Sequence, residues 1–192
     1  MRSRCLLAAA ALLCSPLLAP ARASGQPFAD PGTGAGLLGF VSQTPDAAGP
    51  TILGGAHVLT RFTGVLGGEL FVGYRSDTYE KDGAPALRVQ QIPFQLSLLA
   101  YLLPNLRVQP YLLGGVGYYR IWATGEGTLE PQGRTIENKF AFHAGAGVDV
   151  RVARTLSLRL EGRYVFLDVD AVTEIDKSAS SWQVGAGFNV YF

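Results

Sequence analysis

Two histidines, His57 and His143, are the only imidazoles available for acid–base or metal chemistry near neutral pH. Neither sits in a Cys/His cluster of the kind that holds zinc, and both cysteines, Cys5 and Cys14, fall at the extreme start of the chain. Gly145-Ala146-Gly147 and Gly185-Ala186-Gly187 are not phosphate-cradling loops, because no helical pattern follows either one. They read as one hairpin motif used twice. Asp168-x-Asp170 lacks the glycine and the spacing of an EF-hand calcium loop. What remains is charge at every second position: Asp149 and Arg151, then Arg159, Glu161 and Arg163, joined by Glu69, Arg75 and His143. Alternation places these on one side of extended segments. Their chemistry is ion pairing, since acids and bases facing a narrow space of low dielectric must pair or carry a heavy cost. No cofactor or metal is implied by this set.

The elements that must position these charges are strands. Period-two alternation runs from about residue 34 to 192. In 182–192, Trp182, Val184, Ala186, Phe188, Val190 and Phe192 share one face, and Gln183, Gly185, Gly187, Asn189 and Tyr191 the other. In 156–166, Leu156, Leu158, Leu160, Gly162, Tyr164 and Phe166 oppose Ser157, Arg159, Glu161, Arg163 and Val165. Residues 140–152 set Phe140, Phe142, Ala144, Ala146, Val148 and Val150 against Ala141, His143, Gly145, Gly147, Asp149 and Arg151. Residues 92–102, 66–74 and 52–62 alternate in the same way, with Glu69, His57 and Arg61 on the polar faces. Both faces of 107–122 are apolar, so its facing stays open, and 34–43 has the faintest pattern of the eight strands.

The predicted connections alternate in length. Residues 43–50, 76–85, 123–135 and 168–180 are long, whereas 63–64, 103–105 and 153–155 are tight. Long and short in turn is the pattern of an up-and-down barrel with two unlike rims. The long connections collect Asp46, Asp77, Glu80, Asp82, Glu126, Glu130, Glu137, Asp168, Asp170, Glu174 and Asp176 against Lys81, Arg134 and Lys177, which makes that rim acidic. A solvated rim and divalent-cation bridging to lipopolysaccharide phosphates both fit such a charge pattern.

The chain has 192 residues, enough for one domain, and carries Lys+Arg 16 against Asp+Glu 15, so nothing basic is left over to hold a nucleic acid. Residues 1–23 form an export signal: Arg2 and Arg4, an apolar run from Cys5 to Leu18, and Ala21-Arg22-Ala23 as the small-x-small cleavage pattern. Cleavage there removes both cysteines and three arginines, shifting the formal charge from +1 to −2 and leaving residues 24–192 as one barrel domain without disulfides.

Alternation alone does not say which face is wet. A soluble secreted barrel or sandwich would turn the apolar face inward, and a membrane barrel inverts this. Three features favour inversion. The polar face is poor in surface residues, with only Lys81, Lys139 and Lys177 as lysines. The apolar faces are long enough to match the roughly 9–11 residues that cross a bilayer at a tilt. Aromatic residues gather at strand ends: Tyr74, Trp122, Phe140, Tyr164, Phe166 and Trp182 towards the long connections, Phe62 and Phe192 towards the tight ones. Such rings form the interfacial girdles of a membrane barrel.

The chain resembles the small eight-stranded outer-membrane β-barrels of the OmpA-transmembrane, OmpX and OmpW type over residues 24–192. The resemblance is sharpest in 184–192, where Phe188, Val190 and Phe192 look like the terminal signal by which such barrels are recognised for assembly, and in 110–119. It implies an all-β, eight-stranded antiparallel up-and-down transmembrane barrel in the bacterial outer membrane. It also implies outer-membrane lipid and lipopolysaccharide, the barrel-assembly machinery and periplasmic chaperones as partners, a monomer, and no nucleic acid. Neither histidine is followed by Ser two residues on, as in the barrel lipid A deacylases, so the expectation is a non-enzymatic protein. The expected role is structural, with the lumen filled by the charged network; a narrow channel for small or apolar solutes and an adhesin-type surface protein are the alternatives. The inward glycines could leave a cavity or make room for Phe71, Tyr101 and the arginines.

Overall fold

The structure, a computed structural model, describes residues 32–43, 49–81, 84–125, 135–166 and 180–192. The predicted export signal and most of the predicted acidic connections lie outside these residues. Eight strands follow one another: β1 Thr33–Gln43, β2 Thr51–Arg61, β3 Leu66–Lys81, β4 Ala84–Tyr101, β5 Val108–Gly125, β6 Thr135–Arg151, β7 Leu156–Phe166 and β8 Ser181–Tyr191. They close into a barrel in chain order, every neighbour antiparallel. β1 completes the ring against β8, from Gly34 opposite Tyr191 to Gln43 opposite Trp182. Closure pairs the backbone groups of the first and last strands, which a sheet in hydrocarbon requires. Among the described residues no helix is long and apolar enough to cross a membrane.

The alternation read from sequence sets the two surfaces. On β7, Arg159 is 1% exposed while its neighbour Leu160 is 61% exposed, and the same contrast repeats on the other strands. The apolar face points out and the polar face into the lumen. The open segment 107–122 resolves with Gln109, Tyr111, Leu113, Tyr119 and Ile121 inward and Leu112, Val116, Tyr118 and Trp122 towards the outside.

Strand extends into two of the predicted loops. β3 continues through the charged stretch to Lys81 and β4 resumes at Ala84, while β5 runs to Gly125 and β6 starts at Thr135. β1, β2, β7 and β8 are 11 residues long, whereas β3 to β6 are 16, 18, 18 and 17, so one wall of the barrel stands taller. Polar residues on both faces hide the alternation there, yet Thr78, Tyr79, Val89, Trp122 and Ile136 are good strand formers and the ladder continues through them. Asp77, Glu80 and Glu137 are accordingly strand residues and not loop acids.

The tight connections close with their own bonds. Phe62 and Thr63 donate backbone N–H groups to the Leu66 carbonyl, and the Thr63 hydroxyl accepts from the Leu66 N–H at 2.9 Å. Val152 and Ala153 repeat the backbone pattern on Leu156. Pro93 has no N–H to give, and the β3–β4 register stops at Val72 opposite Phe94 and resumes at Arg75 opposite Gln91.

Candidate functional site

The lumen is a filled core, and its centre is a charge cluster built from opposite walls. β7 supplies Arg159, Glu161 and Arg163 at alternate positions, β6 supplies Asp149, and β3 supplies Glu69 from across the barrel. The Arg159 guanidinium donates to both Asp149 oxygens at 3.2 and 3.3 Å, reaches Glu161 at 3.7 Å and pairs with Glu69 Oε2. Arg163 donates to Glu161 Oε1 at 2.5 Å and to Glu69 Oε1 at 3.4 Å, and its third nitrogen bonds the Gln95 carbonyl oxygen. All five charged side chains have no exposed area.

Neutral groups complete the cluster. Tyr111 donates its hydroxyl to Glu161 at 2.7 Å and Tyr101 donates to Asp149 at 3.1 Å. Asn189 Nδ2 donates to Asp149 and to Ser157 at 3.1 and 3.0 Å, and its oxygen meets His57 Nε2. The Gln95 amide donates to the Tyr119 hydroxyl at 2.5 Å. His143 Nε2 bonds the Ser97 hydroxyl at 2.8 Å. Charges this deep are tolerated only when the remaining lone pairs and protons are also satisfied, and these side chains satisfy them. Apolar groups fill the spaces between: Leu38, Phe40, Leu53 and Phe71 form one cluster, and Leu59, Leu99, Leu113 and Tyr191 join Tyr101 and Tyr111 in another. Arg163 lies over the Phe40 and Phe71 rings at 4.7 and 5.5 Å.

The inward glycines make room and do not leave a void. A Cβ on Gly147 would fall on the Tyr111 phenol, and one on Gly145 would meet Arg163 Cα and Cβ at 2.8 and 2.9 Å.

The other sequence-predicted lumen residues sit elsewhere along the tube. Arg75 turns to Asp77, whose carboxylate also accepts from Gln91 at 3.1 Å and Thr51 at 2.5 Å; this separate cluster lies towards the long-connection rim. Sequence reading placed Asp77 on an acidic loop, but its exposure is 0%. Arg151 is inward at the opposite mouth, over the Tyr191 ring at 3.8 Å, and makes no ion pair with a carboxylate among the described residues. Both histidines are buried in the lumen, away from the outer face. Among the described residues, no three or more His, Cys, Asp or Glu come together as a metal site. Sequence reading puts Gln95, Tyr101 and Asn189 on inward faces without assigning them to the charge network, and it leaves Tyr111 and Tyr119 on the segment of open facing, because phenols fit an apolar or a polar face equally well.

On the outside, aromatic rings form a belt around the long-connection half. Phe94 contacts Tyr118 at 6.5 Å, Tyr118 contacts Phe140 at 5.3 Å, and Tyr164 contacts Phe166 and Trp182 at 4.7 Å each. Tyr74 continues the outward series on β3 and is half exposed. Trp122 stands four residues beyond Tyr118 on the tall wall, with Arg120 5.4 Å from its ring. Phe188, Val190 and Phe192 all face outward at the end of the chain.

This arrangement of polar core and apolar shell agrees with the comparisons. Among solved structures, the chain is similar to the outer membrane protein OprG from Pseudomonas aeruginosa, at 14% identity and TM-score 0.62 over 87% of this chain and 100% of that one. It is similar to a major outer membrane protein from Thermus thermophilus, at 14% identity and TM-score 0.60 over 83% and 99%. It is also similar to Neisserial surface protein A, at 16% identity and TM-score 0.56 over 83% and 96%. At these identities the shared property is the fold. Among curated proteins none matches significantly. The family model described as outer membrane protein beta-barrel domain matches residues 5–192, and the chain belongs to that family of bacterial outer-membrane barrels.

Proposed function

We propose that this protein is a non-enzymatic envelope barrel with a shut lumen, exported by residues 1–23 and acting as a monomer. One observation carries the reading: Arg159 and Arg163 span the lumen between β7 and β3 with no exposed side-chain area, locked by three carboxylates. A path for solute would have to break these pairs, and separating a buried pair costs about 3–5 kcal/mol. In this reading the belt of Tyr74, Phe140, Tyr164, Phe166 and Trp182 sits at the lipid interface, as aromatic residues prefer to do, with Trp122 above it at the headgroups. The acidic connections form a solvated exterior rim, with divalent-cation bridging to lipopolysaccharide phosphates as the alternative. Phe188, Val190 and Phe192 serve as the contact for the assembly machinery, so removal of Phe192 lowers the yield of folded barrel in the outer membrane.

The test of the shut lumen is electrical. In planar bilayers the purified protein gives no discrete conductance steps, while the Arg159→Ala/Arg163→Ala double variant, if it folds, does. Discrete steps from the unaltered protein overturn the reading in favour of a channel.

A further inference from the structure

We propose that the short-turn mouth of the lumen binds a small phosphate-class oxyanion between Arg61 and Arg151. These are the last residues of β2 and β6, strands that end at the same rim. Both are inward and nearly covered, Arg61 at 2% exposure and Arg151 at 5%. Each guanidinium sits over a tyrosine ring, Arg61 over Tyr101 and Arg151 over Tyr191, both with Cζ 3.8 Å from the ring centroid. Such a contact holds the guanidinium in place and leaves its edges to donate.

Those edges are short of acceptors. Arg61 gives one nitrogen to the Gln109 carbonyl oxygen, while its Nε and Nη1 are buried without any partner. Arg151 Nε is likewise buried and unpartnered. Neither side chain joins an ion pair among the described residues, and the rings beneath them, Tyr101 and Tyr191, belong to one packed cluster, which brings the two cations to the same end of the lumen. The nearest carboxylate, Asp149, is already engaged: its two oxygens take Arg159, Tyr101 and Asn189. Gln109 cannot turn to help, since its amide donates to the Pro104 carbonyl at 2.7 Å. Two buried like charges with orphan N–H groups are costly, and an anion that accepts from both removes the repulsion and the unmet donors together. Arginine edges match tetrahedral oxyanions with several acceptor oxygens. The oxyanion would come from either a dissolved ion or the headgroup of a lipid in the adjacent leaflet.

The site lies at one mouth and does not depend on the lumen being shut, so its test is separate from conductance. The folded protein in neutral detergent micelles is unfolded with urea while sodium phosphate replaces sodium chloride at constant ionic strength. The unfolding midpoint is expected to rise and saturate in phosphate. Arg61→Gln and Arg151→Gln should each raise the half-saturating concentration about tenfold, and outward-facing Arg120→Gln should leave it unchanged. A parallel series with short-chain phosphatidylglycerol separates the sources: saturation by phosphate assigns a dissolved ion, and saturation by the lipid alone assigns a headgroup. If neither saturates, or if Arg61→Gln and Arg151→Gln respond as the unaltered protein does, the effect is general salting and the proposal is overturned. Should one variant fail to fold, the other variant and the saturation curve of the unaltered protein still decide.

Discussion

The middle of the lumen and its short-turn mouth hold the same side chain in opposite circumstances. Arg159 and Arg163 are enclosed by Glu69, Asp149 and Glu161; Arg159 gives its donors to carboxylates, and Arg163 to carboxylates and Gln95. Arg61 and Arg151, at the mouth, rest on tyrosine faces and pair with no carboxylate among the described residues. The spacing of strand residues explains the difference. Arg159, Glu161 and Arg163 alternate signs along one inward face, so neighbours two apart neutralise each other, the adjoining strand β6 adds Asp149 and the far wall adds only Glu69. At the mouth the strands end, and no acid follows on the inward faces of β2 or β6. The comparison teaches that the centre is a structural bolt, while the mouth is a place where charge is held ready for something from outside.

Mutations can break this contrast, and the largest effect belongs to the centre. Arg159→Met keeps an unbranched apolar stem but removes the guanidinium and strands Glu69 and Asp149 without their main cation. The expected loss is about 3–5 kcal/mol, read from urea unfolding in micelles. Asp77→Asn, in the second paired cluster, leaves Arg75 with a neutral partner and should cost about 1.5–3 kcal/mol by the same assay. Gly147→Ala tests the packing around the bolt: its Cβ would collide with the Tyr111 phenol and lie 2.7 Å from the Leu160 carbonyl oxygen. Overpacking there should cost about 1–3 kcal/mol and weaken the Tyr111–Glu161 bond. The smallest effect is at the mouth, where Arg61→Gln in phosphate-free buffer should change stability by less than about 0.5 kcal/mol or raise it, because a like charge is removed. A loss at Arg61 as large as at Arg159 would erase the distinction between the two regions.

Much of this architecture is legible in the amino-acid order because one physical rule writes it. β7 spans the same residues, 156–166, that its alternation marks, and β8 differs by one residue at each end. The inward set Glu69, Arg159, Glu161 and Arg163 follows from the same period. Legibility fails where the rule is silent. Along 76–81 polar residues fall on both alternating sets, and 84–91 begins Ala-Pro-Ala with no alternation, so strand and loop look alike, and Asp77 passes for a surface acid when it is the buried partner of Arg75. Along 107–122 both faces are apolar, and only the closed ring turns Tyr111 and Tyr119 inward. Pairing across the barrel, such as Arg159 with Glu69, is absent from local pattern altogether, since it depends on strands four apart in the ring.

The central claim, a packed polar lumen inside an apolar shell, can be measured with single cysteines because no cysteine follows Cys14. Ser97→Cys reports the lumen, Leu160→Cys the outer face and Ala153→Cys a short turn, each reconstituted in lipid bilayers. A charged, membrane-impermeant thiol reagent should modify the turn cysteine alone, and a lipophilic maleimide should modify Leu160→Cys. Rapid labelling of Ser97→Cys by the charged reagent, at the rate of the turn position, would contradict the packed lumen.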